Sequence, residues 1–216
     1  MSFKLEQESQ TKKWSFDQFC SKVEEAVYQY GGQSEQMAIS LKRLLIELDF
    51  SDAVLKAYQE TAWPIASYKV SSLYRSKTVA IVAIKIAAEA EIMPHNHPAM
   101  VGAITVVSGC VDITSFAAPS KGKVQFLERS AQTRLKPGDT ASLTPEQDNY
   151  HYVRAIENSL LVDIFSPPYS LRRPPTNYQL NNPELINSQT IVPVQKVGLL
   201  KLIRARRAAR RHNKQS

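Results

Sequence analysis

Three of the four histidines in this sequence, His95, His97 and His151, have the type and spacing of metal ligands. The first two form an H-x-H pair, and residues two apart in a strand point to the same face. His151 begins a later strand-like run and could meet the pair from across a sheet. Three neutral imidazoles suit iron, zinc, copper or nickel better than calcium or magnesium. An isolated H-x-H pair is also common on protein surfaces, so the pair alone does not establish a site.

The residues around these histidines predict a unit built of strands. Turn signals such as Ser108-Gly109 and Pro137-Gly138 separate short β-branched and apolar runs, and Asp139 is interpreted as a turn residue. Many short strands at regular spacing are typical of an all-β barrel or sandwich. The predicted strands cover residues 78–88, 103–107, 111–116, 124–127, 132–135, 141–143, 152–155 and 160–165.

The residues before these strands predict helices, because apolar side chains recur there at spacings of three and four. The predicted helices cover residues 15–30, 34–48 and 51–60, with Ser15 as the first N-cap and Ser51 or Asp52 as the third. Beyond the prolines at 167–175, residues 177–194 are polar and predicted to be irregular, and residues 195–212 predict a basic helix. We therefore expect a helical segment packing on the barrel (1–66), a barrel (67–176) and an extension with a basic tail (177–216).

The charge is concentrated in that tail. The chain carries a net charge of +7, and residues 201–216 hold seven Lys and Arg and no acid, which leaves 20 basic and 20 acidic residues in the rest. A nucleic-acid-binding body is therefore not indicated. The tail alone could bind RNA, anionic lipid or an acidic protein, although basic ends are often solvated appendages.

The remaining composition predicts a cytoplasmic protein. The longest apolar run, about residues 79–88, contains Lys85 and is too short to span a bilayer, and no apolar run follows the charged N-terminus as in a secretory signal. Two cysteines, Cys20 and Cys110, have no spacing that pairs them, which indicates a reducing compartment. We expect a monomer without a transmembrane segment.

The motifs around the histidines resemble those of the cupin superfamily. His95-x-His97, Gly109 twelve residues later, and Pro137-Gly138-Asp139 before His151 match its two metal motifs. The resemblance implies a mainly β fold, a cupin double-stranded β-helix (jelly-roll) barrel. Ordinary cupins place a glutamate ligand five residues after the second histidine, where this chain has Gly102.

Loss of that glutamate with three histidines retained resembles the thiol dioxygenases, which include cysteine dioxygenase, cysteamine dioxygenase and the plant cysteine oxidases. HNHPAM and NYHYVRAIENSLLVDIFSPPYS are similar to segments of the latter two. The resemblance covers roughly residues 68–169. It implies Fe(II) held by His95, His97 and His151, with Asp163 and Tyr169 at active-site positions. The dipositive charge on the ion would attract a thiolate substrate, to which O2 would add both atoms to give a sulfinate.

Departures from cysteine dioxygenase disfavour free cysteine as the substrate. Gly102, Asp163 and Phe165 replace its crosslink cysteine and two second-shell residues, and its carboxylate-binding arginine falls at Val70, beside Lys69. A decarboxylated thiol, a mercapto-acid and an N-terminal-cysteine peptide remain as candidate substrates. Asp163 could hydrogen-bond a metal-bound histidine or the ammonium group of the substrate, and Tyr169 could donate a hydrogen bond to bound oxygen. The alternatives are a non-catalytic ligand-binding cupin and a zinc- or nickel-dependent isomerase or hydrolase, because cupins host many chemistries.

Overall fold

Three helices precede eleven strands in the computed structural model, which describes residues 13–117, 124–146, 149–170, 174–181, 186 and 189–197. The helices are α1 (Phe16–Tyr30), α2 (Ser34–Ile46) and α3 (Ala53–Gln59). The strands are β1 (Tyr68–Arg75), β2 (Ala80–Ile86), β3 (Glu91–Asn96), β4 (Val101–Ser108), β5 (Val111–Ala117), β6 (Phe126–Leu135), β7 (Thr140–Leu143), β8 (Tyr150–Ala155), β9 (Ser159–Ser166), β10 (Tyr178–Leu180) and β11 (Ile191–Lys196).

The strands form two antiparallel sheets that face each other. One has the order β1-β2-β9-β4-β7, and the other has the order β10-β11-β6-β5-β8-β3. Apolar side chains from both sheets fill one end of the space between them, among them Ile104, Ile113, Val153 and Leu161. The predicted fold class is confirmed: the chain is mainly β, with a nearly closed barrel and N-terminal helices.

The helices cover the outer face of the first sheet. Ser15 caps α1 through its side chain, as predicted, and the buried face of α1 includes Phe19 and Val23. Lys85 points outward from β2, where its Nζ donates hydrogen bonds to the carbonyl oxygens of Gln59 and Thr61 at the end of α3. This buried lysine therefore anchors the helical segment on the barrel.

The prediction that residues 177–194 are irregular is wrong, because β10 and β11 lie there and extend the second sheet. Their side chains Tyr178, Leu180, Val192 and Val194 cover Phe116 and Tyr152 on the outer face of that sheet. The predicted basic helix is also wrong at its start, since Gln195 and Lys196 belong to β11. The tail at 201–216 lies outside the described residues.

Both cysteines are free and buried. Burial raises the pKa of the Cys20 thiol to about 12, with a smaller contribution from Asp17, so this thiol stays protonated and is a poor nucleophile.

Across the described part of the chain, no helix has both the length and the apolar character needed to cross a membrane.

Candidate metal centre and active site

Two neighbouring strands bring the three histidines together. His95 on β3 lies directly opposite His151 on β8, and His97 follows β3 by one residue. The backbone N–H of His97 donates to the side-chain oxygen of Asn149 at 2.8 Å, which holds the chain beyond the strand. The ring centroids lie 4.6 to 4.9 Å apart, and one ring nitrogen of each histidine falls within 4.8 Å of the others.

An irregularity in β3 aims His95 inward. The register between β3 and β8 shifts between Ile92 and His95. Ile92 faces the interior cluster and Met93 packs against the outer one. Strict alternation from Ile92 would place His95 on the outer face with Met93, because side chains alternate with period two. The shift reverses this, as β-bulges commonly do beside functional sites.

The hydrogen bonds leave nitrogens of the right kind for a metal. Nδ1–H of His95 donates to the carbonyl oxygen of Met93 at 2.9 Å, so its Nε2 is an acceptor. The Nε2 atoms of His97 and His151 lie 3.2 Å apart. Two nitrogens that bind one ion at about 2.1 Å and at a right angle are about 3.0 Å apart, so this geometry fits a shared divalent ion.

Burial keeps these imidazoles neutral, which is the form that binds metal. It lowers the pKa of His95 below its usual 6.5 and the pKa values of His97 and His151 well below it. The neighbouring rings lower the pKa of His97 and His151 further, because two protonated imidazoles would repel each other.

A cavity between the two sheets adjoins His151, and Asp163 lines it. β9 is buried on both faces, and its residues Leu161, Asp163 and Phe165 point inward by alternation. Burial raises the pKa of the Asp163 carboxyl well above its usual 3.8. The other lining residues are Gly102, Ala103, Ile104, Ile113, Ser115, Ala141, Ser142 and Leu143.

Tyr169 contacts a histidine and is not among the residues that line the cavity in the described part of the chain. Its hydroxyl oxygen lies 2.6 Å from Nδ1 of His97, and Phe165 stacks on the same imidazole with centroids 5.0 Å apart. If Nε2 of His97 binds a metal, Nδ1 keeps its proton and donates it to the Tyr169 oxygen. The tyrosine O–H proton is then free for another acceptor.

Gly102, which stands where ordinary cupins have a glutamate ligand, lies where two strands approach closely. A Cβ at this position would lie 3.0 Å from the carbonyl oxygen of Ile164 and 3.4 Å from atoms of Leu143 and Phe165. The close approach of β9 therefore favours glycine here. The same absence of a side chain leaves room in the cavity, which Gly102 lines.

A second connection fixes the strand that carries the ligands. Between the two histidines, Asn96 accepts a hydrogen bond from Thr176 N at 2.7 Å through its side-chain oxygen, and its own backbone N–H donates to the Thr176 carbonyl at 3.1 Å. Asn177 bridges His95 directly. We call these contacts the Asn96–Thr176 clamp. The segment that leads into β10 therefore supports the site.

The structure thus gathers the three histidines, Asp163 and Tyr169 into one region, and their roles stay predictions. Val70 on β1 is 52% exposed and is not among the residues that line the cavity in the described part of the chain. Asp139 is a turn residue as predicted, since its carboxylate accepts from the backbone N–H of Lys136. The polar lining residues Ser115 and Ser142 were not predicted, because a lone serine in a strand carries no distinctive sequence signal.

Comparison with solved structures returns proteins of low identity to this chain. KdgF from Halomonas sp. is 23% identical with a TM-score of 0.40, over 52% of this chain and 91% of that one. A conserved protein with a double-stranded β-helix domain from Klebsiella pneumoniae is 20% identical with a TM-score of 0.41, over 51% and 85%. An RmlC-like cupin from Desulfovibrio desulfuricans is 17% identical with a TM-score of 0.41, over 51% and 92%.

A comparison with curated proteins finds no significant match. The family model PCO_ADO matches residues 37–201, which include all three histidines, Asp163, Tyr169 and the clamp. This is the family of the plant cysteine oxidases and cysteamine dioxygenases in the cupin superfamily, and its members are thiol dioxygenases with non-haem iron. The chain belongs to the PCO_ADO family.

Proposed function

We propose that this chain is an Fe(II)-dependent thiol dioxygenase that converts a thiol into a sulfinate, with free cysteine disfavoured as the substrate. The observation that carries the proposal is the cluster of three neutral histidines beside a cavity in a PCO_ADO family member. In the reaction the sulfur gains both atoms of O2 and loses four electrons, which reduce the dioxygen. The thiol proton is released to solvent.

His95, His97 and His151 would hold the iron, and the bound iron would supply the redox chemistry between sulfur and dioxygen. The three residues bring no negative charge, because burial keeps them neutral. The centre as a whole would therefore attract a thiolate and favour its deprotonated form. Ligands on one side leave the cavity side free for substrate.

Asp163 and Tyr169 would both act on the reacting groups. Asp163 reaches the cavity from β9 and can hydrogen-bond a substrate amine, or donate a proton in its neutral form. Tyr169 would orient His97 and direct its O–H proton towards oxygen. Burial also raises the pKa of Tyr169, so the hydroxyl keeps its proton at neutral pH.

The cavity supports an amine-bearing thiol, cysteamine or an N-terminal-cysteine peptide, over free cysteine. The lining residues in the described part of the chain include Asp163 and two serines but no Lys or Arg that could pair with a carboxylate. Val70, where the resemblance places the carboxylate-binding arginine, is exposed. A buried carboxyl that can accept a hydrogen bond instead suits an ammonium group.

Oxygen uptake by the anaerobically prepared Fe(II) protein tests the proposal. Cysteine, cysteamine, 3-mercaptopropionate and an N-terminal-cysteine peptide are offered in parallel, and mass spectrometry detects products heavier by two oxygen atoms. We expect oxidation of an amine-bearing thiol and loss of iron and activity in His151→Ala. Tight zinc or nickel binding with no oxygen uptake on any thiol would overturn the proposal and favour an isomerase or ligand-binding cupin.

A further inference from the structure

Tyr169 is held at both ends. Its hydroxyl meets Nδ1 of His97 at 2.6 Å, and its backbone carbonyl oxygen accepts a hydrogen bond from Nη2 of Arg75 at 2.7 Å. Arg75 lies on β1 and Tyr169 in the loop beyond β9, 94 residues apart in sequence. A single residue therefore connects the surface of the barrel to a candidate metal ligand.

Arg75 is well placed to fix the loop. It pairs with Ala80 of β2, and Ala80 pairs with Phe165 of β9. Phe165 is the residue that stacks on His97. Arg75 and Phe165 thus belong to one hydrogen-bonded row of strands, from which Phe165 contacts the His97 ring, while Tyr169 lies in a loop after the sheet ends. Strands are more rigid than loops, so the strand restrains the loop.

Because Arg75 is exposed, its contact with Tyr169 is expected to contribute little to the stability of the fold. Arg75 lies at the end of an edge strand and is exposed. Exposed charged contacts add little to the free energy of unfolding. A contact that matters little for folding can still set the direction of a loop side chain by the few tenths of an ångström that a metal site requires.

We infer that Arg75 is a positioning residue, which acts through Tyr169 to orient His97 in the metal centre. Arg75 is not among the residues that line the cavity in the described structure, and its guanidinium donates a hydrogen bond to the Tyr169 carbonyl. The kinetic consequence rests on the proposed function, whereas the consequence for metal binding does not. Loss of the guanidinium should free the loop, weaken the contact between Tyr169 and His97, and leave the helices and barrel intact.

A double-mutant cycle of Arg75→Ala and Tyr169→Phe tests this inference. The Co(II) dissociation constant and the Co(II) absorption spectrum are measured for both single variants, the double variant, Arg75→Lys and the control Lys77→Ala. Lys77 is an exposed cation two residues away, so its replacement removes the same charge. Thermal unfolding of each variant checks that the fold is retained, and kcat and KM are measured with whichever thiol is oxidised.

Arg75→Ala should weaken Co(II) binding by about threefold to tenfold and shift the spectrum in the same direction as Tyr169→Phe, because outer partners tune metal ligands. Arg75→Lys should recover part of the loss, and Lys77→Ala should match the unmodified protein. In the Tyr169→Phe background, Arg75→Ala should have no further effect. With an active thiol, kcat should fall while KM stays unchanged.

An undiminished effect of Arg75→Ala in the Tyr169→Phe background would overturn the inference, as would Co(II) binding identical to that of Lys77→Ala. A raised KM with unchanged kcat would also overturn it, because Arg75 would then bind the substrate itself. If no thiol is oxidised but the Co(II) cycle behaves as expected, the proposed function fails and the positioning role stands.

Discussion

The hydroxyl of Tyr169 lies 2.6 Å from Nδ1 of His97, a distance that fixes the orientation of a ring whose other nitrogen faces His151. The tyrosine comes from the loop after β9, and the histidine follows β3 on the other sheet. This contact therefore couples the two sheets at the candidate metal centre. Its removal should change metal binding without changing any ligand.

Tyr169→Phe should weaken divalent metal affinity by about tenfold, because the partner of Nδ1 sets the tautomer and basicity of the ligand. Isothermal titration with Co(II) measures this change. Tyr58→Phe is the matched control, because the Tyr58 hydroxyl donates a hydrogen bond to Ser71 between α3 and β1 and not to a histidine. Equal affinities for Tyr169→Phe and Tyr58→Phe would contradict a role of Tyr169 in the metal centre.

The metal-free protein should lose stability as pH falls below about 6.5. Burial lowers the pKa values of His95, His97 and His151, so the unfolded chain binds more protons than the folded one below pH 6.5. The free energy of unfolding therefore rises with pH in that window and levels off above it. Chemical denaturation across pH measures the slope, which should be flatter in His151→Asn.

Asp163→Asn should separate stability from function. Burial raises the pKa of this carboxyl well above 3.8, so its ionised form opposes folding near neutral pH. The amide has similar volume and no ionised form, so the melting temperature should be equal or higher. Thiol oxidation should fall by at least about tenfold if the carboxyl acts on the substrate. An active, stabilised variant would show that Asp163 has no such role.

Gly102→Ala should destabilise the fold by about 1 kcal/mol, because the added methyl group crowds the backbone of the neighbouring strand β9. The nearest atom, at 3.0 Å, is the backbone oxygen of Ile164 in β9. Urea denaturation measures the loss, and Ser142→Ala on the cavity wall serves as a control that adds no atom. An unchanged midpoint would show that β9 can shift to admit a side chain at residue 102.

Asn96→Ala should reduce both stability and metal affinity. It removes the side-chain acceptor for Thr176 N, a hydrogen bond that contributes about 1 kcal/mol. Asn96→Asp keeps an acceptor oxygen and should retain most of the stability. Denaturation midpoints and Co(II) titrations of both variants measure the effect. If Asn96→Ala lowers the stability but leaves the Co(II) affinity unchanged, the Asn96–Thr176 clamp supports the fold but does not position the metal-binding histidines.

The histidines, the barrel class and the helices could be predicted from local signals. His95 and His97 have metal-ligand spacing, and the helices show clear periodicity. The register shift between Ile92 and His95 could not be predicted, because it depends on pairing with β8, far along the chain. Alternation within a strand predicted correctly that the His95 side chain faces the interior. In the structure, however, a register shift in β3 is what turns His95 inward.

The missed strands have specific causes. β11 contains Pro193, a residue that argues against an inner strand, yet β11 lies between β10 and β6. β1 is an edge strand with mostly exposed or half-buried side chains, so its alternation is weak. β6 was predicted as two runs because its middle is polar, but that stretch simply faces solvent. Arg75 carries no signal at all, since its partner is a backbone carbonyl.

The Asn96–Thr176 clamp also has a consequence for the timing of biosynthesis. Its two residues are 80 positions apart, and β10 and β11, which follow Thr176, complete the same sheet. Contacts of such large sequence separation form late, because the intervening chain must exist and close first. While the ribosome is still translating the segment before Thr176, β3 lacks this partner. Stable loading of metal is therefore expected only after synthesis has passed the clamp.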